Sequence, residues 1–212
     1  KNVSSIQDLG NHRVKITYSS KASEVQNGMC FQSRPTVRDH AGTFFWKSKD
    51  IKMTSLDIHF LHGFGMVGQH SENITMDDVD FEAPKESGRT TAGYADFVQM
   101  SGCKGTINIS NCTFAGPHDD PINIHGTFNT VTAISSDRRT ITVQYNHNET
   151  AGFPNFFEGD EIEFMTKGNM ITVEDSVRTV TKVDGPDGMG GNMGDGSGSL
   201  TTIKLTLNEA VP

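Results

Sequence analysis

The sequence predicts an all-β protein, built as a right-handed parallel β-helix with a small antiparallel β-barrel appended to it or inserted in it. Three observations favour this class. Short segments alternate apolar and polar residues with a period of two, which is the period of a strand. These segments recur at intervals of roughly two dozen residues, as stacked repeats do. Glycine is abundant, with 22 residues in a chain of 212, and long runs of helix-forming residues are absent from the sequence.

The first repeat consists of three alternating segments that each end in phenylalanine: "IKMTSLDIHF" (Ile51–Phe60), "NITMDDVDF" (Asn73–Phe81) and "TINISNCTF" (Thr106–Phe114). The interval from Phe81 to Phe114 is longer than that from Phe60 to Phe81, because it contains one such unit plus an insertion. One strand cannot bury its apolar face alone, but strands stacked about 4.8 Å apart share a core. A β-sandwich whose strands are similar by chance is the alternative fold.

The second repeat falls between the segments of the first. "DFVQMSG" (Asp96–Gly102) matches "DPINIHG" (Asp120–Gly126), one rung further along the chain. Val98 and Met100 then align with Ile122 and Ile124, and we expect all four to face the core.

Three domains are expected. Residues 1–30 contain one clear strand, "HRVKITYSS", and we interpret them as the tail of a preceding β module. Residues 31–126 are the parallel rungs, which carry the candidate site. Residues 127–212 form the barrel-like domain: "TVTAISSDRRTITVQYN" predicts a hairpin, and three further short strands are expected to be antiparallel. The glycine-rich segment Asp184–Ser199 is expected to be a flexible loop.

Composition limits the classes of partner. The formal net charge of -8 argues against a nucleic-acid partner, which calls for a basic surface. No segment is apolar enough to predict a membrane span. The three cysteines are not spaced as a zinc site, and we expect them to be buried free thiols. Because the chain begins with Lys, we expect it to be an excerpt of a longer protein whose targeting signal is not included.

Three aspartates are expected to meet at the entry of two neighbouring rungs. Asp96 and Asp120 occupy equivalent positions in the second repeat, and Asp119 precedes Asp120. Two unit charges about 5 Å apart repel by roughly 3 kcal/mol at an effective dielectric constant of about 20, which favours retention of a proton on one carboxyl group. One protonated and two ionised carboxyl groups are suited to hydrolysis of a glycosidic bond with inversion. An aspartate pair that caps a turn is the structural alternative.

Four further side chains are candidates for contacts with a sugar. His125 and Asn123 alternate with the core residues of their strand and should therefore share a face with the aspartates. Gln99 occupies the corresponding position one rung earlier. Tyr94 lies in the polar insertion "EAPKESGRTTAGYA", which is expected to project from its rung and to wall a cleft.

Three stretches together resemble glycoside hydrolase family 110, the exo-acting α-1,3-galactosidases: "LHGFGMVGQHSENITMDDVDF", "YADFVQMSGCKGTINISNCTFAGPHDDPINIHGTF" and "VQYNHNETAGFPNFFEGDEIEF". The resemblance covers about residues 34–164. It implies a hydrolase that needs no metal or other cofactor and inverts configuration. It also implies that Asp119 is the general acid and that Asp96 and Asp120 activate water. Polygalacturonases share the aspartate spacing, but their "NTDG" context is replaced here by "YADF".

The expected partner is a galactose-terminated oligosaccharide or polysaccharide, and the expected location is secreted or periplasmic. The sequence leaves open whether the protein forms a homodimer. Two other functions remain alternatives: a non-catalytic β-helix that binds glycans, and a structural module whose aspartates bind calcium.

Overall fold

The computed structural model of the chain describes residues 2–21, 23–31, 40–147, 150–151, 153–185 and 202–212. The described structure is all-β apart from one short 3-10 helix (Lys85–Ser87), which lies in the polar insertion. No helix in the described ranges is long and apolar enough to cross a membrane. The chain divides into two units, Lys1–Pro35 and Thr36–Pro212.

The first unit contains an antiparallel hairpin of β1 (Val3–Gly10) and β2 (Arg13–Tyr18). β2 is the strand that the sequence predicted, whereas β1 was not predicted. In β1 the apolar residues Val3, Ile6 and Leu9 recur every third position. The register of this hairpin shifts at both ends of β1, and such irregularities break the period of two that identifies a strand.

The second unit begins with two parallel sheets between which the chain alternates. One sheet has the order β10-β7-β5-β3, and its strands are β3 (Thr43–Trp46), β5 (Met66–Gln69), β7 (Val98–Ser101) and β10 (Ile122–His125). The other has the order β4-β6-β8, with β9 paired to the end of β6, and its strands are β4 (Lys49–Ile58), β6 (Glu72–Phe81), β8 (Lys104–Ser110) and β9 (Thr113–Phe114).

The apolar residues of both sheets stack in register around one core. Ile74 pairs with Ile51 on one side and with Ile107 on the other. Phe81 is completely buried and stacks between the rings of Phe97 and Phe114, at centroid distances of 5.5 and 5.1 Å. The stacked rings fill the space between the sheets, and aromatic pairs at this separation stabilise a core beyond their buried area.

The predicted alignment of Phe60 with Phe81 is wrong by two positions. The residue of β4 that pairs with Phe81 is Ile58. Phe60 lies beyond the end of β4 and is 51% exposed. The shared terminal phenylalanine was therefore a misleading marker of register, whereas Phe81 and Phe114 do pair as predicted.

The pairing of Val98 and Met100 with Ile122 and Ile124 is confirmed. Val98 and Met100 are completely buried, but Ile122 and Ile124 are 38% and 52% exposed. The expectation that these two isoleucines lie in the core is therefore wrong for this chain. β10 is the last strand of its sheet, and no strand among the described residues pairs with its other edge.

Left-handed residues recur at matching positions and bend the chain at the same points in successive rungs. Lys47 (φ 49°), His70 (φ 48°) and Gly102 (φ 61°) each follow a strand of the first sheet. Two further sets lie in the second sheet: Asp50, Asn73 and Gly105, and Ser55, Asp78 and Asn111. Most of these are Asn, Asp or Gly, the residue types that adopt this conformation most readily.

Beyond β10 the pairing becomes antiparallel. A five-stranded sheet has the order β11-β12-β15-β14-β13, with strands β11 (Asn129–Ile134), β12 (Thr140–Tyr145), β13 (Glu161–Ile162), β14 (Arg178–Asp184) and β15 (Thr202–Leu207). The hairpin predicted for β11 and β12 is confirmed. A second core around Ile141, Tyr145 and Leu205 lies against this sheet. From residue 186 to 199, the predicted glycine-rich loop lies outside the described residues.

The cysteine prediction holds only in part. All three thiols are free, but Cys30 is exposed and Cys103 and Cys112 are only half-buried. Burial raises the pKa of the Cys103 thiol and so disfavours its reactive thiolate.

His70 and Phe157 connect the parallel sheets to the antiparallel part. Their rings meet edge to face at 5.1 Å, and the Lys47 ammonium lies 3.8 Å from the Phe157 centroid. Burial is the main cause of the lowered pKa of His70. The negative charge of Asp160 opposes this shift, Lys47 lowers the pKa further, and a hydrogen bond with the Pro154 backbone and the charge of Lys104 have smaller effects, upward and downward respectively.

We expect this junction to make stability depend on pH through His70. An unfolded histidine takes up a proton near pH 6.5, whereas folded His70 does so only at lower pH. The unfolded state therefore binds more protons between these two values, and the free energy of unfolding falls as the pH drops below about 6.5. Asparagine suits the left-handed backbone at residue 70. The free energy of unfolding of His70→Asn, measured by urea denaturation, should therefore fall less steeply than that of the wild type between pH 7.5 and 5. The exposed His59→Asn is the control, and equal slopes for wild type and His70→Asn would contradict the assignment.

Candidate active site

The ladder between β7 and β10 brings Asp96 and Asp120 together. Both residues stand two positions before their strands, and Val98 pairs with Ile122. The Phe97 amide donates to the Asp120 carbonyl at 3.0 Å, which extends the parallel pairing back to the aspartates. The predicted stacking of these two positions is therefore present.

Asp119 joins the other two aspartates to complete a cluster. One carboxylate oxygen from each of Asp96, Asp119 and Asp120 lies within 4.8 Å of the others. Asp96 is only 2% exposed, whereas Asp119 and Asp120 are exposed. The three carboxyl groups thus have unequal environments: one is held in the protein and two face solvent. Such an inequality allows chemically similar groups to take different roles.

Gly65 makes room for Asp96 and was not singled out from the sequence. It adopts a left-handed conformation with φ of 78°, and a Cβ atom there would lie 1.9 Å from the Asp96 carbonyl oxygen. Any side chain at residue 65 would therefore displace the backbone that carries Asp96. A close approach between rungs leaves no pattern in the sequence apart from the glycine itself.

Asn123 contacts an aspartate. Its Nδ2 donates a hydrogen bond to Asp96 Oδ2 at 3.2 Å. The predicted location on the face with the aspartates is therefore correct. Its predicted contact with a sugar hydroxyl is untested, and the amide nitrogen bonds to the carboxylate.

Gln99 and His125 form a pair on the same face. The Gln99 Nε2 and His125 Nε2 atoms lie 3.1 Å apart, and His125 Nδ1 lies 2.9 Å from the Gly126 carbonyl oxygen. A carbonyl only accepts, so Nδ1 donates to it, and in this orientation of the Gln99 amide Nε2 accepts from Gln99 Nε2. The hydrogen bond between Gln99 and His125 orients both side chains without a contact to any of the three aspartates.

The polar insertion changes character along its length. Lys85 and Arg89 are exposed, and the Arg89 guanidinium lies 4.2 Å from the centroid of the Phe60 ring. The last residues before Asp96 are largely buried, and the Leu61 amide donates to the Ala92 carbonyl at 2.6 Å. Half-buried Tyr94 lies in this fixed part. Its contact with a ligand is untested.

His118 is a further residue that the sequence analysis left without a role. It precedes the aspartate pair, is half-buried, and its Nδ1 atom is buried without a hydrogen-bond partner among the described residues. A buried imidazole nitrogen without a partner is uncommon in proteins. No spacing rule in the sequence points to it.

The aspartate cluster is also the one group of three or more potential metal ligands among the described residues. Carboxylate oxygens at this separation suit a hard divalent cation such as Ca²⁺. The cluster alone thus supports two chemistries, acid-base catalysis and cation binding.

Comparisons with known proteins identify homologues of this chain. Residues 140–186 match the family model described as GLAA-B beta-barrel domain II. The chain is 46% identical over 99% of its length to alpha-1,3-galactosidase A of Streptomyces avermitilis. It is 43% identical over 94% of its length to the alpha-1,3-galactosidase A of Peterkaempfera griseoplana, and 42% identical over 76% to that of Bacteroides thetaiotaomicron.

The chain is a homologue of part of the alpha-1,3-galactosidases. The resemblance stated from the sequence is confirmed at the level of the family. The chain spans about a third of the Streptomyces relative (33%) and 27% and 28% of the other two. The matched barrel model falls on β12 to β14, which agrees with the antiparallel sheet found there.

We expect calcium to leave the stability of this protein unchanged. If the aspartates were a calcium site, 100 times the Kd of calcium would stabilise the folded state by about 2.7 kcal/mol, which raises the Tm by several degrees. Thermal unfolding should be compared in EDTA and in millimolar CaCl2, with Asp119→Asn as the variant that weakens the cluster. A rise in Tm that is lost in Asp119→Asn would favour the calcium-binding module instead.

Proposed function

We propose that the protein to which this chain belongs is an exo-acting glycoside hydrolase that releases terminal α-1,3-linked galactose. The observation that carries the proposal is the meeting of Asp96, Asp119 and Asp120 within 4.8 Å in a homologue of the alpha-1,3-galactosidases. Most glycoside hydrolases use a pair of carboxyl groups beside the glycosidic bond for acid-base or nucleophilic catalysis. The substrate is a galactose-terminated oligosaccharide or polysaccharide.

The proposed architecture is a right-handed parallel β-helix with a small β-barrel attached. Its support is the alternation of the chain between two parallel sheets and the recurrence of left-handed residues in three sets. Sheets built of successive parallel strands in register are the defining feature of such solenoids. The proposed domain limits are 1–30, 31–126 and 127–212; the change from parallel to antiparallel pairing after β10 supports the last of them.

In the proposed reaction Asp119 is the general acid. Its exposed carboxyl group gives its proton to the glycosidic oxygen as the bond from that oxygen to C1 of galactose breaks. Asp96 and Asp120 act together on a water molecule, whose oxygen forms the new bond to C1 while its proton passes to one of the two carboxylates. The chain supplies both proton transfers itself, so no cofactor is needed.

Inversion at C1 is part of the proposal and conflicts with a general distance rule. Inverting enzymes usually separate their carboxyl groups by about 6.5–9.5 Å, and retaining enzymes by about 5–5.5 Å. The aspartate oxygens here approach more closely than either. The arrangement of stacked rungs imposes this closeness. We propose that a water bound by two carboxylates at once does not require the wider gap.

Three residues are proposed to bind the sugar: His125, Gln99 and Tyr94. The first two face the same side of their strands as Asn123, which contacts Asp96. Their mutual hydrogen bond presents a preoriented polar pair, and such pairs bind hydroxyl groups with little loss of entropy. A homodimer remains an open part of the proposal.

The stereochemistry of the first product tests the proposal. The full-length protein and a linear Galα1-3Gal substrate should be followed by proton NMR during the first minutes. We expect β-galactose before the α anomer. If α-galactose came first, the enzyme would retain configuration and the water-activating role of Asp96 and Asp120 would be wrong. Release of galacturonate from pectin instead would favour the polygalacturonase alternative.

The same assay tests the general acid. The variant Asp119→Asn should lower kcat by about 10²- to 10⁴-fold, because the amide cannot protonate the leaving oxygen. Asp57→Asn, an exposed aspartate at the end of β4, is the matched control and should keep the wild-type rate. Full activity of Asp119→Asn would remove it from the mechanism. Binding of the sugar without any product in the wild type would favour the non-catalytic glycan-binding alternative.

A further inference from the structure

We infer that Asn123 is a positioning residue that fixes the carboxylate of Asp96 for the activation of water. The inference rests on the proposed function, because it assigns a task within that reaction. It replaces the contact with a sugar hydroxyl that the strand pattern predicted for Asn123.

The register of the sheet explains why Asn123 turns toward Asp96. Its direct neighbour across the ladder is Gln99. Two amides side by side would ordinarily hydrogen-bond to each other. Instead, the Gln99 amide reaches diagonally to His125 at 3.1 Å. The Asn123 amide is thereby left to extend in the other direction along the strand, where Nδ2 meets Asp96 Oδ2 at 3.2 Å.

His125 is itself held by a backbone carbonyl, so the Gln99 amide that bonds to it stays turned away from Asn123. The Gly126 carbonyl accepts from His125 Nδ1 at 2.9 Å, which leaves Nε2 to accept from Gln99. One set of contacts runs from the Gly126 carbonyl through His125 to Gln99, and the Asn123–Asp96 bond lies beside it.

Burial makes this contact matter more for Asp96 than for the other two aspartates. Asp96 is 2% exposed, so water contributes little to the orientation of its carboxylate. A hydrogen bond from a neutral amide holds the plane of the carboxylate without adding a positive charge. A lysine or arginine in the same place would stabilise the ionised form more strongly and weaken it as a base. An asparagine therefore suits a carboxylate that must both keep its orientation and accept a proton.

The exposure of Asp120 suggests a division of labour between the two water-activating groups. Asp120 faces solvent, and its backbone carbonyl accepts a hydrogen bond from the Phe97 amide. Asp96 depends on a side chain from the neighbouring strand. A change at Asn123 should therefore act on the reaction through Asp96 alone.

A double-mutant cycle in the full-length protein tests this dependence. Asn123→Leu preserves the approximate volume and removes the donor. With Galα1-3Gal as substrate, kcat should fall by about 10- to 100-fold while KM changes by less than about 3-fold, since the orientation of the base is altered and the sugar contacts remain. The acid limb of the profile of kcat/KM against pH should move to higher pH, because the ionised carboxylate has lost a donor. In the Asp96→Ala background, Asn123→Leu should change the residual rate by less than about 2-fold.

Two further variants keep the test decisive. Asn108→Leu alters an exposed asparagine of β8 in the other parallel sheet and should leave kcat and the pH profile unchanged. Asn123→Ser retains a shorter donor. If Asn123→Leu fails to fold, Asn123→Ser should still shift the acid limb in the same direction, by less than the shift expected for Asn123→Leu.

The outcomes separate this inference from the proposed function. A wild type that releases no galactose overturns both. An active wild type whose Asn123 variants keep the wild-type kcat and pH profile overturns the positioning role alone. So does a loss in Asn123→Leu that is equally large with and without Asp96, because that result describes a residue that acts on the sugar or on the fold.

Discussion

The parallel hydrogen-bonded ladder between successive rungs is the constraint on which the rest of the structure depends. It holds strands about 4.8 Å apart and in a fixed register, so that a residue in one rung meets its counterpart in the next. The ladder places Val98 beside Ile122, and the same continuity carries Asp96 beside Asp120. The packing of the core and the meeting of the carboxyl groups therefore have one cause. Like charges that would separate in a flexible chain are held together by backbone bonds on the flanking residues.

The same ladder distributes the polar residues of the site. One face of β7 and β10 is apolar, which leaves the alternate positions for Gln99, Asn123 and His125. These side chains bond first to one another and to Asp96. The site thus contains its own supporting framework on rigid strands, which is the arrangement that holds reacting groups most accurately. Asp119 and Asp120 come from the segment before β10, where solvent and substrate can reach them.

Much of this arrangement was visible in the sequence, and the remainder had physical reasons to be hidden. The match between two alternating segments one rung apart predicted the proximity of Asp96 and Asp120. The strand period of two and the length of a rung determine backbone positions, and both are visible in the sequence. The hairpin β11-β12 was visible for a similar reason. The register between the longer strands was harder to predict. The shared terminal phenylalanine suggested that Phe60 pairs with Phe81, but the partner of Phe81 is Ile58. The exposure of Ile122 depends on what stands beside β10, which the pattern of a single strand does not encode. The choice of Asn123 between a ligand and Asp96 depends on rotamers and on the competing bond of Gln99.

The sets of left-handed residues have a consequence for how such a protein can change over evolutionary time. Asp50, Asn73 and Gly105 hold the same conformation, although the stretch of chain from Asn73 to Gly105 is longer than the stretch from Asp50 to Asn73. The chain therefore returns to the same place after circuits of different length, and the longer circuit includes the exposed residues 85–90. A lineage can lengthen or replace such a segment, and under the proposed function this would alter which glycan fits, while the aspartates stay where they are. Under that proposal, substrate selectivity changes with the loops, whereas the positions of the reactive aspartates are kept by the parallel strands.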